Sequence, residues 1–317
     1  MSTGQSSDVR TIAGFWRRLG AFLLDCLLLG VIGAALGFLL TEEVVRLGPW
    51  GRLLGFLVAL AYFGTLNSKI TGGQTLGKRL LKVKVVAKDG TPLSVPTAFL
   101  RFLPLGAPWF LNNAQFSESV LFSPWLYVLA VAIFGIGLSV IYLYIFNRTS
   151  RQSLHDLLVG SYVVAAEATG PVVAAAPSRV HLAVCALLIV AAGIAPYFMK
   201  NLAASEPFAS LMNVYHAVNS EPWVVSSKVN KGQTFMTTTG GGRRTITHLS
   251  ITAYSKDPDI KNVERAKQLA ALALSADSSA RGLDVIQVTL VYGYDIGIAS
   301  AWRSQNHTHT PAEWLAL

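Results

Sequence analysis

The chain has 317 residues, of which 52% are hydrophobic and 14% charged, against about 25% charged residues in a soluble domain. A positive mean hydropathy of +0.46 with so little charge excludes an ordinary soluble globular protein and points to an integral membrane protein. The net charge of +9 suits cationic loops at an anionic lipid surface; with no basic stripe in a recognisable nucleic-acid module, nucleic acid is not an expected partner.

Residues 1–12 form a polar tail without a cleavable signal pattern. The first apolar run, Leu19 to Leu40, is 22 residues long and is interrupted by one charge, Asp25. A second run covers about Gly51 to Asn67, a third Trp125 to Phe146, and a last one Val180 to Met199. Each is near the ~20 residues that cross a bilayer. Cys26 and Cys185 fall in these runs and read as small buried hydrophobes.

The segment Thr97 to Asn113 is ambiguous, being apolar but carrying Arg101, Pro104 and Pro108. Six Lys or Arg lie between Asn67 and Pro96, and one, Arg46, between Thr41 and Trp50. Positive loops stay cytoplasmic, which sets the N-terminus inside. If Thr97–Asn113 crosses as a short kinked helix, Arg148 and Arg151 also lie inside; five crossings follow, with an interfacial half-helix as the alternative.

After an Ala/Pro-rich linker over 165–178, the final span occupies 179–199. Residues 200–317 change character. The expectation is a helix from Glu206 to Asn219, then strands "WVVSSKV" and "QTFMTTT" joined at Asn230–Gly232, with a hairpin turn in "TTTGGGRR". "ITHLSITAY" alternates as a half-buried strand, with His248 outward. Asp257-Pro258 is expected to open a helix to about Ser275. "DVIQVTLVY" is another strand, with a turn near Gly293. Thr310 to Glu313 is a capping box before a terminal helix. The fold class is thus an α-helical polytopic membrane bundle of about five spans plus a small C-terminal α+β domain with a mostly antiparallel sheet.

Gly72, Gly77 and Lys78 have the spacing of a phosphate-binding loop. Such a loop needs Ser or Thr after the Lys to ligate Mg²⁺, and a preceding buried strand. Arg79 and an apolar span stand there instead, so no nucleotide is expected. His307 and His309 read as solvated, leaving no metal and no cofactor. No nucleophile–base pair occurs at a convincing spacing, so no enzyme is expected.

The charges in apolar surroundings carry the functional question. Asp25 lies six residues into its span, about 9 Å deep. An unpaired carboxylate there costs on the order of 3 kcal/mol. Arg18 is seven residues earlier, on the same helix face. With Arg101 and Asp156 it makes a set at one end of the bundle. Two readings stay open: an ionic network that docks the helices, or an ion or proton site built on the carboxylates.

"GFWRRLGAFLLD", "GGQTLGKRLLKVKVVAKDGTPLS", "LRFL" and "RQSLHDLLVGSYVV" resemble, in order and spacing, the RDD family of membrane proteins over about Ala13 to Val164. The resemblance implies a multi-span domain found mostly in bacteria. It puts the family's Arg-Asp-Asp at Arg18, Asp25 and Asp156. It makes Gly72, Gly73, Gly77, Lys78 and Arg79 a cytoplasmic loop that turns at the membrane surface and meets lipid phosphates or the carboxylates. Some members are described as cation/proton antiporters. That implies exchange of monovalent cations for protons at the bacterial inner membrane, with residues 200–317 outside. The alternative is a membrane-anchored binding, sensing or assembly module whose external domain holds an unknown partner. So few spans also suit a homo-oligomer.

Overall fold

The computed structural model describes residues 12–114, 116, 120, 123–203, 205–206, 208–237 and 243–317. The polar tail, but for Ile12, and residues 238–242, where the hairpin turn was expected, lie outside the described residues. The chain divides into two compact units. One comprises 1–35, 52–196 and 296–299; the other comprises 36–51, 197–295 and 300–317.

In the first unit, helix α1 (Phe15–Leu39) buries Arg18, Ala21, Asp25 and Leu29 along one stripe. Phe22, Leu23, Leu27 and Val31 stay exposed on the other side, as a lipid-facing surface requires. Cys26 is also on that exposed surface, not buried as the sequence suggested, because it follows Asp25 by one residue and so leaves the stripe. Short helix α2 (Thr41–Leu47), which belongs to the second unit, and helix α3 (Gly51–Leu66) of the first follow. Then come α4 (Leu76–Leu80), strand β1 (Val83–Ala87), helix α5 (Val95–Leu111), helix α6 (Trp125–Phe146), short helix α7 (Leu154–Val159), strand β2 (Ser161–Ala165) and helix α8 (Arg179–Ala203). Within α6 a π-helical turn covers Val131–Ile136, and its Gly135 lies against the backbone of Ile189.

Four helical stretches are long and apolar enough to cross a membrane: Phe15–Leu39, Thr41–Leu66, Trp125–Phe146 and Arg179–Met199. Helix α5 has 17 residues, roughly 25 Å, and contains Pro104 and Pro108. Strands β1 and β2 pair antiparallel from Val83↔Ala165 to Ala87↔Ser161, so the loop before α5 and the loop after α6 share one side. With α6 as a span, a crossing at α5 would bring the chain back to that side. Helix α5 also runs beside the full length of α3. Ser68 bridges Leu93 at one end, and at the other the Arg52 Nε donates to the Phe110 carbonyl at 3.0 Å. The N-terminal end of α1 joins β2 through Ala13 N donating to the Val163 carbonyl at 2.9 Å.

In the second unit a four-stranded sheet has the order β3-β4-β5-β6, built from β3 (Val224–Thr237), β4 (Arg243–Ser255), β5 (Val285–Asp295) and β6 (Ser300–His309). The outer pairs are antiparallel and the central pair is parallel, which needs the crossover through helix α10 (Val263–Ala276). Helix α9 (Phe208–Asn219) and α10 cover one face, burying Val214 and Val218 with Leu269, Ala270 and Ala273 against Leu249, Ile251, Ile286 and Val288. The terminal helix α11 (Pro311–Ala316) carries its capping box at Thr310 and Glu313, and buries Trp314.

Three sequence expectations fail here. Asn230–Gly232 is no turn. These residues continue β3, paired from Asn230↔Ser250 to Gly232↔His248, because a long partner strand lets the ladder run through them. Helix α10 opens at Asn262, not Asp257, because Asp257 is held in a turn by Asp259 N at 2.9 Å. Gly293 also stays in its strand, because the ladder with β6 runs through Gly293↔Trp302 to Asp295↔Ser300, and the hairpin closes further on, where Ile296 N donates to the Ala299 carbonyl.

The shared side is testable. Single cysteines from Lys88→Cys and Thr149→Cys, made in a background lacking Cys26 and Cys185, should react with an impermeant maleimide from one face of the membrane. Glu42→Cys should react from the other. Labelling of Lys88→Cys and Thr149→Cys from opposite faces would remove α5 as a crossing.

Candidate functional site: a buried charged cluster and its cavity

The four predicted charges gather in one region of the first unit, and they do not share the burden equally. Asp156 is the anion that takes both arginines. The Arg101 Nη2 donates to its Oδ1 at 2.6 Å and the Arg101 Nε to the same oxygen at 3.0 Å. The Arg18 Nη2 donates to Oδ2 at 3.0 Å. The Ser161 hydroxyl and the Ser153 N–H each add a donor at 3.2 Å. Burial alone would raise this carboxyl; His155, Arg101 and Arg18 outweigh it and hold the group below the usual carboxylate range.

Asp25 is fully buried and pairs with neither arginine. Its neighbours are neutral donors. The Tyr62 hydroxyl donates to Oδ1 at 2.7 Å, the Thr75 hydroxyl to Oδ2 at 2.6 Å, and the Gly77 N–H to Oδ1 at 2.8 Å. Seven residues place Arg18 and Asp25 on one face but about 10 Å apart along the axis. Arg18 therefore reaches the α7 end, while the loop between α3 and β1 comes to Asp25.

That loop is the Gly-Lys motif, and the anion its backbone holds is the chain's own carboxylate. Gly72 and Gly73 take positive φ of 68° and 76°. A Cβ on Gly73 would stand 2.1 Å from the Val85 carbonyl, so only glycine fits where the loop folds onto β1. A Cβ on Gly77 would stand 2.2 Å from the Ala21 carbonyl, so its lack of a side chain is what lets the loop meet α1. Lys78 has its Nζ 3.5 Å from the Thr75 hydroxyl and 5.9 Å from the Phe63 ring centre. Burial and the nearby Arg101 guanidinium pull its ammonium down to about 7. Arg79 points outward and is exposed.

A partly open cavity of about 310 Å³ adjoins the cluster. Arg18, Lys78, Arg101 and His155 line its polar end, and Phe22, Phe63, Phe102, Leu105, Ile141 and Ile145 are among its apolar walls. Among the described residues, Arg18 Nε, Asn67 Oδ1, Tyr144 Oη and His155 Nδ1 are buried without a hydrogen-bond partner, and all four residues line this cavity. Tyr62, Thr75 and Ser161 were missed from sequence. A hydroxyl in an apolar or small-residue stretch gives no sign of its partner; only the place of Thr75 inside the glycine motif hinted at a role.

His307 and His309 lie on β6, each partly buried. The His309 ring packs on Trp314 at 4.7 Å, and His307 Nε2 is 3.5 Å from the Ile260 carbonyl oxygen. Among the described residues no group of three or more His, Cys, Asp or Glu is arranged to hold a metal.

Residues 12–160 match the RDD family. An uncharacterized protein, YckC of Bacillus subtilis (strain 168), is 31% identical over 151 residues, which is 48% of this chain and 83% of that protein. This chain belongs to the RDD family. The matched region contains Arg18, Asp25, Arg101, Asp156 and the whole Gly-Lys loop, and leaves out the C-terminal sheet domain. No solved structure matches the chain.

Two predictions follow from the geometry. Asp156→Asn leaves two buried guanidiniums without their anion and should cost about 3–5 kcal/mol. Asp25→Asn replaces one acceptor oxygen facing neutral donors and should cost about 1–3 kcal/mol. Thermal midpoints of the purified proteins in one detergent should rank them in that order. The second concerns pH. Burial, chiefly, pushes the His155 ring down to about 3 from an ordinary value near 6.5. A base with a lowered folded pKa stabilises fully above the unfolded value and loses that contribution as pH falls from about 6.5 toward 3, by about 1.4 kcal/mol per pH unit. Wild type should therefore lose stability between pH 7 and 5 more steeply than His155→Gln; equal slopes would show that the ring does not stay neutral.

Proposed function

We propose that this RDD membrane protein is an anchored binding module without catalytic chemistry, in which the Arg-Asp-Asp set docks the helices. One observation carries this reading. Three cations, Arg18, Lys78 and Arg101, line the cavity beside the cluster, while both carboxylates are already closed by internal donors. A monovalent cation entering there meets repulsion and finds no free carboxylate oxygen, only the neutral Asn67 Oδ1 and Tyr144 hydroxyl. In this reading the basic loops face the cytoplasm, the bilayer is the bacterial inner membrane, and five crossings carry 200–317 outside to meet a partner. Lipid contacts at exposed Arg79, and a second copy of the chain, belong to the same proposal.

Cation/proton exchange is the second reading. The placement of Asp25 favours it: a fully buried carboxylate with no cation among its hydrogen-bond donors.

Ion-driven proton movement in everted vesicles from an antiporter-deficient host separates the two. Under the binding reading, well-inserted wild type gives no pH-gradient response to Na⁺, Li⁺ or K⁺, and removal of 200–317 abolishes the cellular role. A wild-type response lost in Asp25→Asn at equal membrane levels would instead assign exchange to that carboxylate.

A further inference from the structure

The charges around the cavity do not balance. Arg18 and Arg101 match Asp25 and Asp156 in number, so whenever Lys78 carries its proton one positive charge is left over. Both carboxylates are turned to their own donors. Lys78 keeps one 3.5 Å contact to a hydroxyl and a ring face, and Arg18 leaves its buried Nε unpaired. Buried polar groups normally find partners, so orphaned donors beside a cavity point to a missing acceptor. The rest of the wall is hydrocarbon: Phe22, Phe63, Phe102, Leu105 and Ile141. At about 310 Å³ the space is at the small end of ligand sites, with room for one chain rather than two.

We propose that this cavity binds a single-chain amphiphile with an anionic head, the head set among Arg18, Lys78 and Arg101 and the alkyl chain along the aromatic wall. The anion supplies the missing charge and the missing acceptor together. The chain takes up apolar surface that water would otherwise meet. Neither a free inorganic anion nor a neutral lipid satisfies both halves of the wall. The site stands apart from whatever residues 200–317 hold, and the vesicle assay does not decide it.

Native mass spectrometry of the full-length protein tests the assignment, with dodecyl phosphate, dodecanoate, dodecanol and inorganic phosphate as probes. The expected result is a saturable one-to-one adduct with dodecyl phosphate or dodecanoate, at least tenfold tighter than with dodecanol, and none with inorganic phosphate. Lys78→Gln should remove the preference for the charged head while still admitting dodecanol. Leu105→Trp, which fills the wall, should remove both, and each variant is checked by size exclusion. If one variant fails to fold, the other decides. No adduct with either anionic amphiphile, equal binding of dodecanol, inorganic phosphate binding as well as dodecyl phosphate, or indifference to the folded variants would each overturn the proposal.

Discussion

The contact on which the membrane part depends is the pair of guanidiniums closed on Asp156. Arg18 begins α1, Arg101 sits in the first half of α5, and Asp156 is in α7. None of the three charges can be left alone in a dry interior, where an unpaired ion costs several kcal/mol. Three segments distant in sequence must therefore arrive together. Their meeting sets the positions of β1 and β2, which pair above it, and through them the shared side of the two basic loops. Such a network need not exceed a well-packed apolar core in stability. Its effect is to make one arrangement of helices far better than the others, where apolar helix surfaces in lipid discriminate little.

The Gly-Lys loop applies phosphate-loop chemistry to an internal anion. A backbone N–H and a hydroxyl converge on a carboxylate, as they converge on a phosphate in nucleotide sites. The glycines serve close approach: onto β1 at Gly73 and onto α1 at Gly77. Asp25 is thus held by groups that move only if the loop moves. This ties the deepest charge of the first helix to the most basic loop of the chain, and it leaves Lys78 facing the cavity rather than the carboxylate.

The C-terminal sheet domain obeys the opposite solvent rule. Its large apolar side chains are inside, under two helices, with Leu249, Ile251, Ile286 and Val288 at 0% exposure. In the membrane part, large apolar residues such as Leu27, Val31 and Phe134 face outward. One chain therefore carries both patterns, and the change between them follows the final span.

Spans and strands were legible where a period or a run repeats: the apolar stretches, the alternation around Leu249 and Ile286, and the capping box at Thr310 all depend on neighbours in sequence. Turns were less legible, because Asn230–Gly232 looks like a turn until a partner strand of equal length lies beside it. The gathering of Arg18, Asp25, Arg101 and Asp156 could be expected, since buried charge in an apolar run must find company. Which charge meets which could not. Pairing depends on depth and on how a distant loop folds, and Asp25 chose Tyr62, Thr75 and Gly77 over Arg18. By itself the sequence determined that this chain enters a membrane and that its few internal charges must be satisfied, because both follow from the cost of transferring groups out of water. Tertiary structure alone decided that α5 lies beside α3 and that Arg18, Lys78 and Arg101 turn toward one cavity, because both depend on contacts between segments that the order of residues does not encode locally.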